Sequence, residues 1–197
     1  MNKRSGTKSK KKILHVAMKV FSSRGFAGAN IRDIAKAAGI SVGGVYLYFR
    51  NKEDLYLNLI NEMIDDFMEK TEGIASSDRS QTDILSAFLK TNIEYARRHR
   101  EFILVHIREH CFTFGREKKR EFIRNQKRLL ERIIQQGIRK GEFRRCNARE
   151  TSNIIMGTLR GIATAIALDD DVVITAKGVT EHILQGLLSD KNKLRRE

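Results

Sequence analysis

Apolar residues along this chain recur at three- and four-residue spacing, and no segment alternates with period two over a useful length. The pattern therefore predicts helices and no sheet. Ile13, Leu14, Ala17, Met18 and Phe21 mark a first helix that starts near Ser9 and stops at Gly25. Asn30 is placed to cap a short second helix with Ile31, Ile34, Ala35 and Ala38 on one face, broken by Gly39. Ser41 is the next cap, and Val42 to Leu47 form a third short helix. Asn51, with Asp54 three residues on, opens a long helix carrying Leu55, Leu59, Ile60, Met63, Ile64 and Phe67 on its inner side.

The later helices are longer. Ser80 and Asp83 repeat the cap signature before a helix that runs to about Arg97. Phe102 to Phe112 is shorter and very apolar, and Arg116 to Lys140 is long and amphipathic. Asn147 with Glu150 caps an almost wholly apolar or small run from Ile154 to Leu168, and a last helix spans about Val173 to Leu188. The expected fold is all-α with about nine helices. A three-helix N-terminal domain with a basic arm occupies residues 1–50, and a larger helical domain occupies residues 51–197. The helix from Asn51 joins them.

Composition sharpens this picture in four ways. Proline is absent from the 197 residues, which favours uninterrupted helices. No apolar run approaches the length of a bilayer span, and the basic start MNKRSGTKSKKK has no apolar stretch after it, so neither a membrane helix nor a secretory signal is expected. Two cysteines, Cys111 and Cys146, make no disulfide framework and suit a reducing cytoplasm. The net charge of +14 is uneven: residues 1–50 hold eleven basic residues against one acidic, a net of +10. A solubilising tail accounts for Lys3 to Lys12, but not for Lys19, Arg24, Arg32, Lys36 and Arg50 inside a folded segment. That distribution is the footprint of a polyanion-binding domain.

The second and third helices meet the geometric demands of a helix-turn-helix. Ala35 is small where the helices would cross, Gly39 stands where a positive φ is needed, and Val45 would anchor the second helix on the first. The stretch GFAGANIRDIAKAAGISVGGVYLYFRNKEDLY, with the glycine after the first helix, the Tyr-x-Tyr-Phe ending and the Lys-Glu-Asp-Leu opening, resembles the DNA-binding domain of TetR/AcrR-family transcriptional regulators. The resemblance covers roughly residues 9 to 60. Two departures are Asn30, where threonine or serine is commoner, and Leu47-Tyr48, where the family often has Tyr-His or His-Tyr. The resemblance implies that the helix from Ser41 enters the major groove of an operator. Gly43 and Gly44 would allow close backbone approach, and Val42 would touch a thymine methyl. Ser41, Tyr46, Tyr48 and Lys52 would hold phosphates, with Asn30 and Arg32 at the preceding helix. For Tyr46 a half-buried staple is the competing role, and for Arg32 a solvated basic face.

The resemblance also implies that the larger domain binds a small effector and forms a homodimer. Gly157, Gly161 and Ala165, four residues apart, would allow close helix approach, and with Val179, Ile183 and Leu187 would build the dimer interface; an intramolecular core helix is the alternative. Met63, Phe67, Phe88, Phe102, His106, His110 and Phe112 are candidates to line an apolar effector pocket, with ordinary core packing equally open for each. An acyl-CoA or fatty-acid-like effector and a multidrug-type apolar one both fit. No cofactor is implied. His106 and His110 have metal-pair spacing but no third ligand at diagnostic spacing, so no metal is assigned. No nucleophile motif, phosphate loop or carboxylate pair argues for an enzyme. The reading is a sequence-specific DNA-binding regulator, with ligand-released repression as its expected mode and a non-DNA helical adaptor as the competing class.

Overall fold

The computed structural model describes residues 3–108 and 116–188, without the side chains of residues 3–5, 105, 106 and 108. Among the described residues there are nine helices and no strand: α1 (Lys3–Gly28), α2 (Ile31–Ala38), α3 (Val42–Tyr46), α4 (Lys52–Ala75), α5 (Gln81–Arg98), α6 (Arg100–Arg108), α7 (Arg116–Arg139), α8 (Ala148–Leu168) and α9 (Ala176–Leu187). α1 starts earlier than the apolar period indicates, because Lys3 to Lys12 continue the helix in polar sequence. Gly25 breaks it as expected, with φ 70° and ψ 173°.

The caps lie where i, i+3 chemistry puts them. The Asn30 and Ser41 side chains accept the amides of Asp33 at 2.8 Å and Gly44 at 3.0 Å. Asn51 accepts the Asp54 amide at 2.7 Å, while the Asp54 carboxylate reaches back to the Arg50 amide at 2.9 Å. Ser80 and Asn147 cap α5 and α8 in the same way.

The chain divides into two compact units. The first comprises residues 1–65 and 101–118, the second residues 66–100 and 119–197. The boundary expected at residue 50 falls inside the first unit, because Leu55, Tyr56, Leu59 and Ile60 of α4 are buried in one core with Phe21, Ile34, Val45 and Phe49. Phe102 of α6 closes that core, with its ring centre 6.2 Å from Tyr56. Phe21, Phe26 and Tyr56 stack and meet edge-on, their ring centres 5.1 to 5.7 Å apart.

In the second unit α5 packs against α8 and α9. Its face of Ile84, Leu85, Phe88, Leu89 and Ile93 is buried, as are Leu129, Leu130, Ile133 and Ile134 of α7. α5 begins against the α7–α8 turn, where the Glu142 carboxylate accepts the amides of Gln81 and Thr82 at 3.0 and 2.9 Å and the Thr82 hydroxyl at 3.0 Å. At its other end Arg100 donates to the Ile166 carbonyl at 2.7 Å and pairs with Asp170. No helix among the described residues is long and apolar enough to cross a membrane.

Candidate nucleic-acid interface

The helix-turn-helix is set by four residues. Gly39 ends α2 in the left-handed region at φ 66°, which lets its amide and that of Ile40 close back on α2 carbonyls. Ala35 is buried at the crossing, and Val45 and Phe49 turn inward with 0% and 1% exposure. What remains outward on α3 and its end is Ser41, Gly43, Tyr46 and Leu47. Tyr46 is 51% exposed and Leu47 74%. This face offers hydroxyls, bare backbone and one leucine.

The site residues expected from sequence separate into groups. Arg32, Ser41, Gly43 and Tyr46 are exposed, and Gly44 is half-buried beside the Ser41 hydroxyl. Ser41 spends a lone pair on the Gly44 amide and keeps its proton for an outside acceptor. Asn30 bonds locally through both ends of its side-chain amide, since its Nδ2 also donates to Asp33 at 2.8 Å. Asp33 in turn is paired with Arg24. Tyr48 is half-buried against the first core, and its hydroxyl approaches the backbone at Gly6.

Val42 and Lys52 depart from expectation. Val42 is half-buried and packs against the core, which takes it off the outward face. The Lys52 ammonium donates to the carbonyls of Phe26 at 2.8 Å, Ala29 at 2.9 Å and Ala27 at 3.4 Å, and lies 4.6 Å from the Phe26 ring centre. An ammonium has three protons, and here all three have acceptors inside the protein. Lys52 therefore ties the segment after the Gly25 break to α4 rather than presenting a free cation.

The described residues among those expected to line a pocket are divided between the two units. Met63 and Phe102 belong to the first core. Phe88 is wholly buried in the second unit, and Phe67 lies there with Tyr95 at 4.6 Å and Phe122 at 5.7 Å between ring centres. The His106 side chain, His110 and Phe112 lie outside the described residues. Sequence reasoning missed the polar pair beside that aromatic cluster. Gln126 and Thr71 are both 0% exposed, and Gln126 Nε2 donates to Thr71 Oγ1 at 2.9 Å while its Oε1 has no partner. Tyr95, half-buried, has its hydroxyl pKa pushed upward by burial and by Asp66. The neighbouring His99 is lowered by burial and by Arg98 and Lys70, with Asp66 opposing. An open groove of about 470 Å³ at the start of α8 is lined by Asn147, Arg149, Glu150, Asn153 and Ile154, none of which was expected to line the effector pocket. No cluster of three His, Cys, Asp or Glu residues suits a metal among the described residues.

On α8, Gly157 and Gly161 are exposed, and a Cβ at either would meet nothing within 4 Å. Ala165, Val179 and Ile183 are half-buried. Leu187 differs from expectation: it is 4% exposed within its own chain, where its carbonyl accepts the Arg144 amide at 2.8 Å. Ile154 and Leu168, 62% and 59% exposed, share the glycine face and were missed. Their i, i+3, i+4 relation to Gly157, Gly161 and Ala165 was the available signal.

Residues 13–59 match the model of the bacterial regulatory proteins of the tetR family, and residues 78–164 match the tetracyclin repressor-like C-terminal domain. The chain belongs to the TetR family. It is a helix-turn-helix, DNA-binding transcriptional regulator of all-α fold, and its family is one of regulators rather than enzymes. Among its relatives, the fatty acid metabolism regulator protein of Bacillus subtilis (strain 168) is 25% identical over 182 residues, 89% of this chain and 93% of that one. The crystal structure of FadR from Bacillus subtilis in complex with stearoyl-CoA is similar with a TM-score of 0.74 at 24% identity, covering 89% of this chain and 98% of that one. AibR, in complex with isovaleryl coenzyme A and operator DNA, is similar with a TM-score of 0.70 at 21% identity, covering 91% and 98%.

Proposed function

We propose that this TetR-family regulator is a cytoplasmic homodimeric repressor whose hold on its operator is released by a long-chain acyl-CoA thioester. The observation that carries the effector class is the reach of the likeness to the Bacillus subtilis fatty acid metabolism regulator, which runs through both units instead of the helix-turn-helix alone. The basic excess of residues 1–50 and the outward face of α3 support the DNA side.

In this reading α3 lies in the major groove with Gly43 and Gly44 against the DNA. The hydroxyls of Ser41, Tyr46 and Tyr48 reach phosphates, joined by Arg32 and by the first amides of α2 next to Asn30. Lys52 acts at one remove, by fixing the backbone before α2. The α8 face of Ile154, Gly157, Gly161, Ala165 and Leu168 meets its copy, with Val179 and Ile183 of α9 beside it. The effector's acyl chain lies in the second unit near Phe67 and Phe122. Two helices carry the signal. α4 belongs to the first unit up to Asp65 and to the second beyond it. α6 starts at Arg100, held to Ile166 and Asp170, and two residues later buries Phe102 in the first core. A shift of either changes the spacing of two recognition helices, which must match half-sites about one helical turn apart or a multiple of it.

Native mass spectrometry with palmitoyl-CoA, free CoA and palmitate tests the effector class. One palmitoyl-CoA retained per protomer, with neither fragment competing, is the expected result. Equal retention of palmitate alone would replace the thioester by a fatty acid.

A further inference from the structure

Leu47 is the C-cap residue of α3, and 74% of it is exposed. The bulky apolar residues two positions to either side, Val45 and Phe49, are buried. Leu47 shares the outward face with Gly43, one turn earlier, to which its amide is bonded at 3.1 Å. Helical side chains lean toward the N-terminus, so the leucine stands over a position without a side chain. A Cβ at Gly43 would find only the Ser41 hydroxyl, at 4.0 Å. Leu47 is thus an exposed apolar side chain on the face that the DNA-binding reading assigns to the major groove.

A leucine cannot donate or accept a hydrogen bond. Among base edges in the major groove the apolar partner is the 5-methyl group of thymine. Val42, which the sequence alone nominates for that contact, is packed against the core and leaves the outward face to Leu47. We infer that Leu47 reads the 5-methyl group of one thymine in each half-site. The inference rests on α3 being the recognition helix, and it adds that this base is chosen by apolar contact instead of hydrogen bonding. The hydroxyls nearby, on Ser41 and Tyr46, do not discriminate thymine in this way.

Deoxyuridine in place of thymine removes that methyl and leaves every hydrogen-bonding group in place. Each thymine of a selected operator would be replaced singly and symmetrically, and affinity measured for the wild type and for Leu47→Ala, Val42→Ala and Tyr46→Phe. The wild type should lose about threefold to tenfold at one thymine per half-site, the scale of burying one or two methyl-sized groups. Leu47→Ala should lose a similar factor on the thymine operator and then be indifferent to uracil at that position. Because Leu47 is exposed, the variant should melt with the wild type. Uracil sensitivity that persists in Leu47→Ala, or vanishes only in Val42→Ala, would overturn the assignment, as would its absence at every thymine. In those outcomes preference for the operator over a scrambled duplex still stands; loss of that preference in the wild type would instead remove the DNA-binding reading beneath it.

Discussion

The ammonium of Lys52 lies 4.6 Å from the centre of the Phe26 ring and donates to that residue's own carbonyl at 2.8 Å. A charge that the sequence offers to DNA thus serves as the cap of a broken helix. Lys52→Met would remove the ammonium's hydrogen bonds to the carbonyls of Phe26 and Ala29, and should cost about 1–3 kcal/mol of stability in the first unit. The slope of log affinity against log salt should not change, since no phosphate contact is lost. Arg32→Ala should do the reverse, flattening that slope by about one with little effect on melting. Salt-series binding on both variants separates the two roles; a flattened slope for Lys52→Met would return that residue to the DNA.

Gly137 in α7 has no room for a methyl. A Cβ there would stand 2.1 Å from Cδ2 of Phe143, which is itself 2% exposed. Gly137→Ala should therefore destabilise by about 1–3 kcal/mol through overpacking, despite alanine's better helix propensity. The second substitution Phe143→Leu should recover part of that loss. Additive losses in a denaturant double-mutant cycle would mean that the two side chains do not share the space.

Glu142 caps α5 from about sixty residues away, taking two amides and a hydroxyl with one carboxylate. Glu142→Ala should lower stability by about 1–2 kcal/mol, as removal of a capping group does. Ser80→Ala removes the local cap of the same helix, and the pair of substitutions should be more than additive because the amides of one helix end then lack both acceptors. Chemical denaturation checks this.

His99 has its pKa lowered by burial first, then by Arg98 and Lys70, with Asp66 opposing. Its folded pKa lies below the ordinary 6.5, so the unfolded chain binds the proton more readily. Stability should be full above that ordinary value and decline as pH falls below it. His99→Gln should lose that part of the acid sensitivity. Melting temperatures of wild type and variant from pH 7.5 to 5 should diverge downward; parallel curves would exclude His99 as the source.

What could be read from the sequence was what is local along it. The caps at Asn30, Ser41, Asn51, Ser80 and Asn147 were legible because donor and acceptor are three residues apart, and Gly39 because only the left-handed turn explains a glycine there. Lys52 and Glu142 were not, since their partners lie 23 to 26 and 60 to 61 residues away. Val42 and Leu47 show the same limit at short range. Both are apolar and both belong to α3 or its end, and only the packing of α3 on the first core decides which faces out. The pocket residues illustrate it for the second unit: a phenylalanine at core spacing looks the same whether it meets a ligand or Tyr95.

In the proposed function an acyl-CoA thioester loosens the grip of this regulator on its operator. A labelled duplex selected from genomic fragments by the protein, titrated to saturation and then challenged with palmitoyl-CoA, measures it directly by fluorescence anisotropy. Binding should be sequence-dependent and at least about tenfold weaker with palmitoyl-CoA bound, within the usual range of allosteric coupling, with free CoA without effect. An operator complex unchanged by acyl-CoA of any chain length would contradict the proposal.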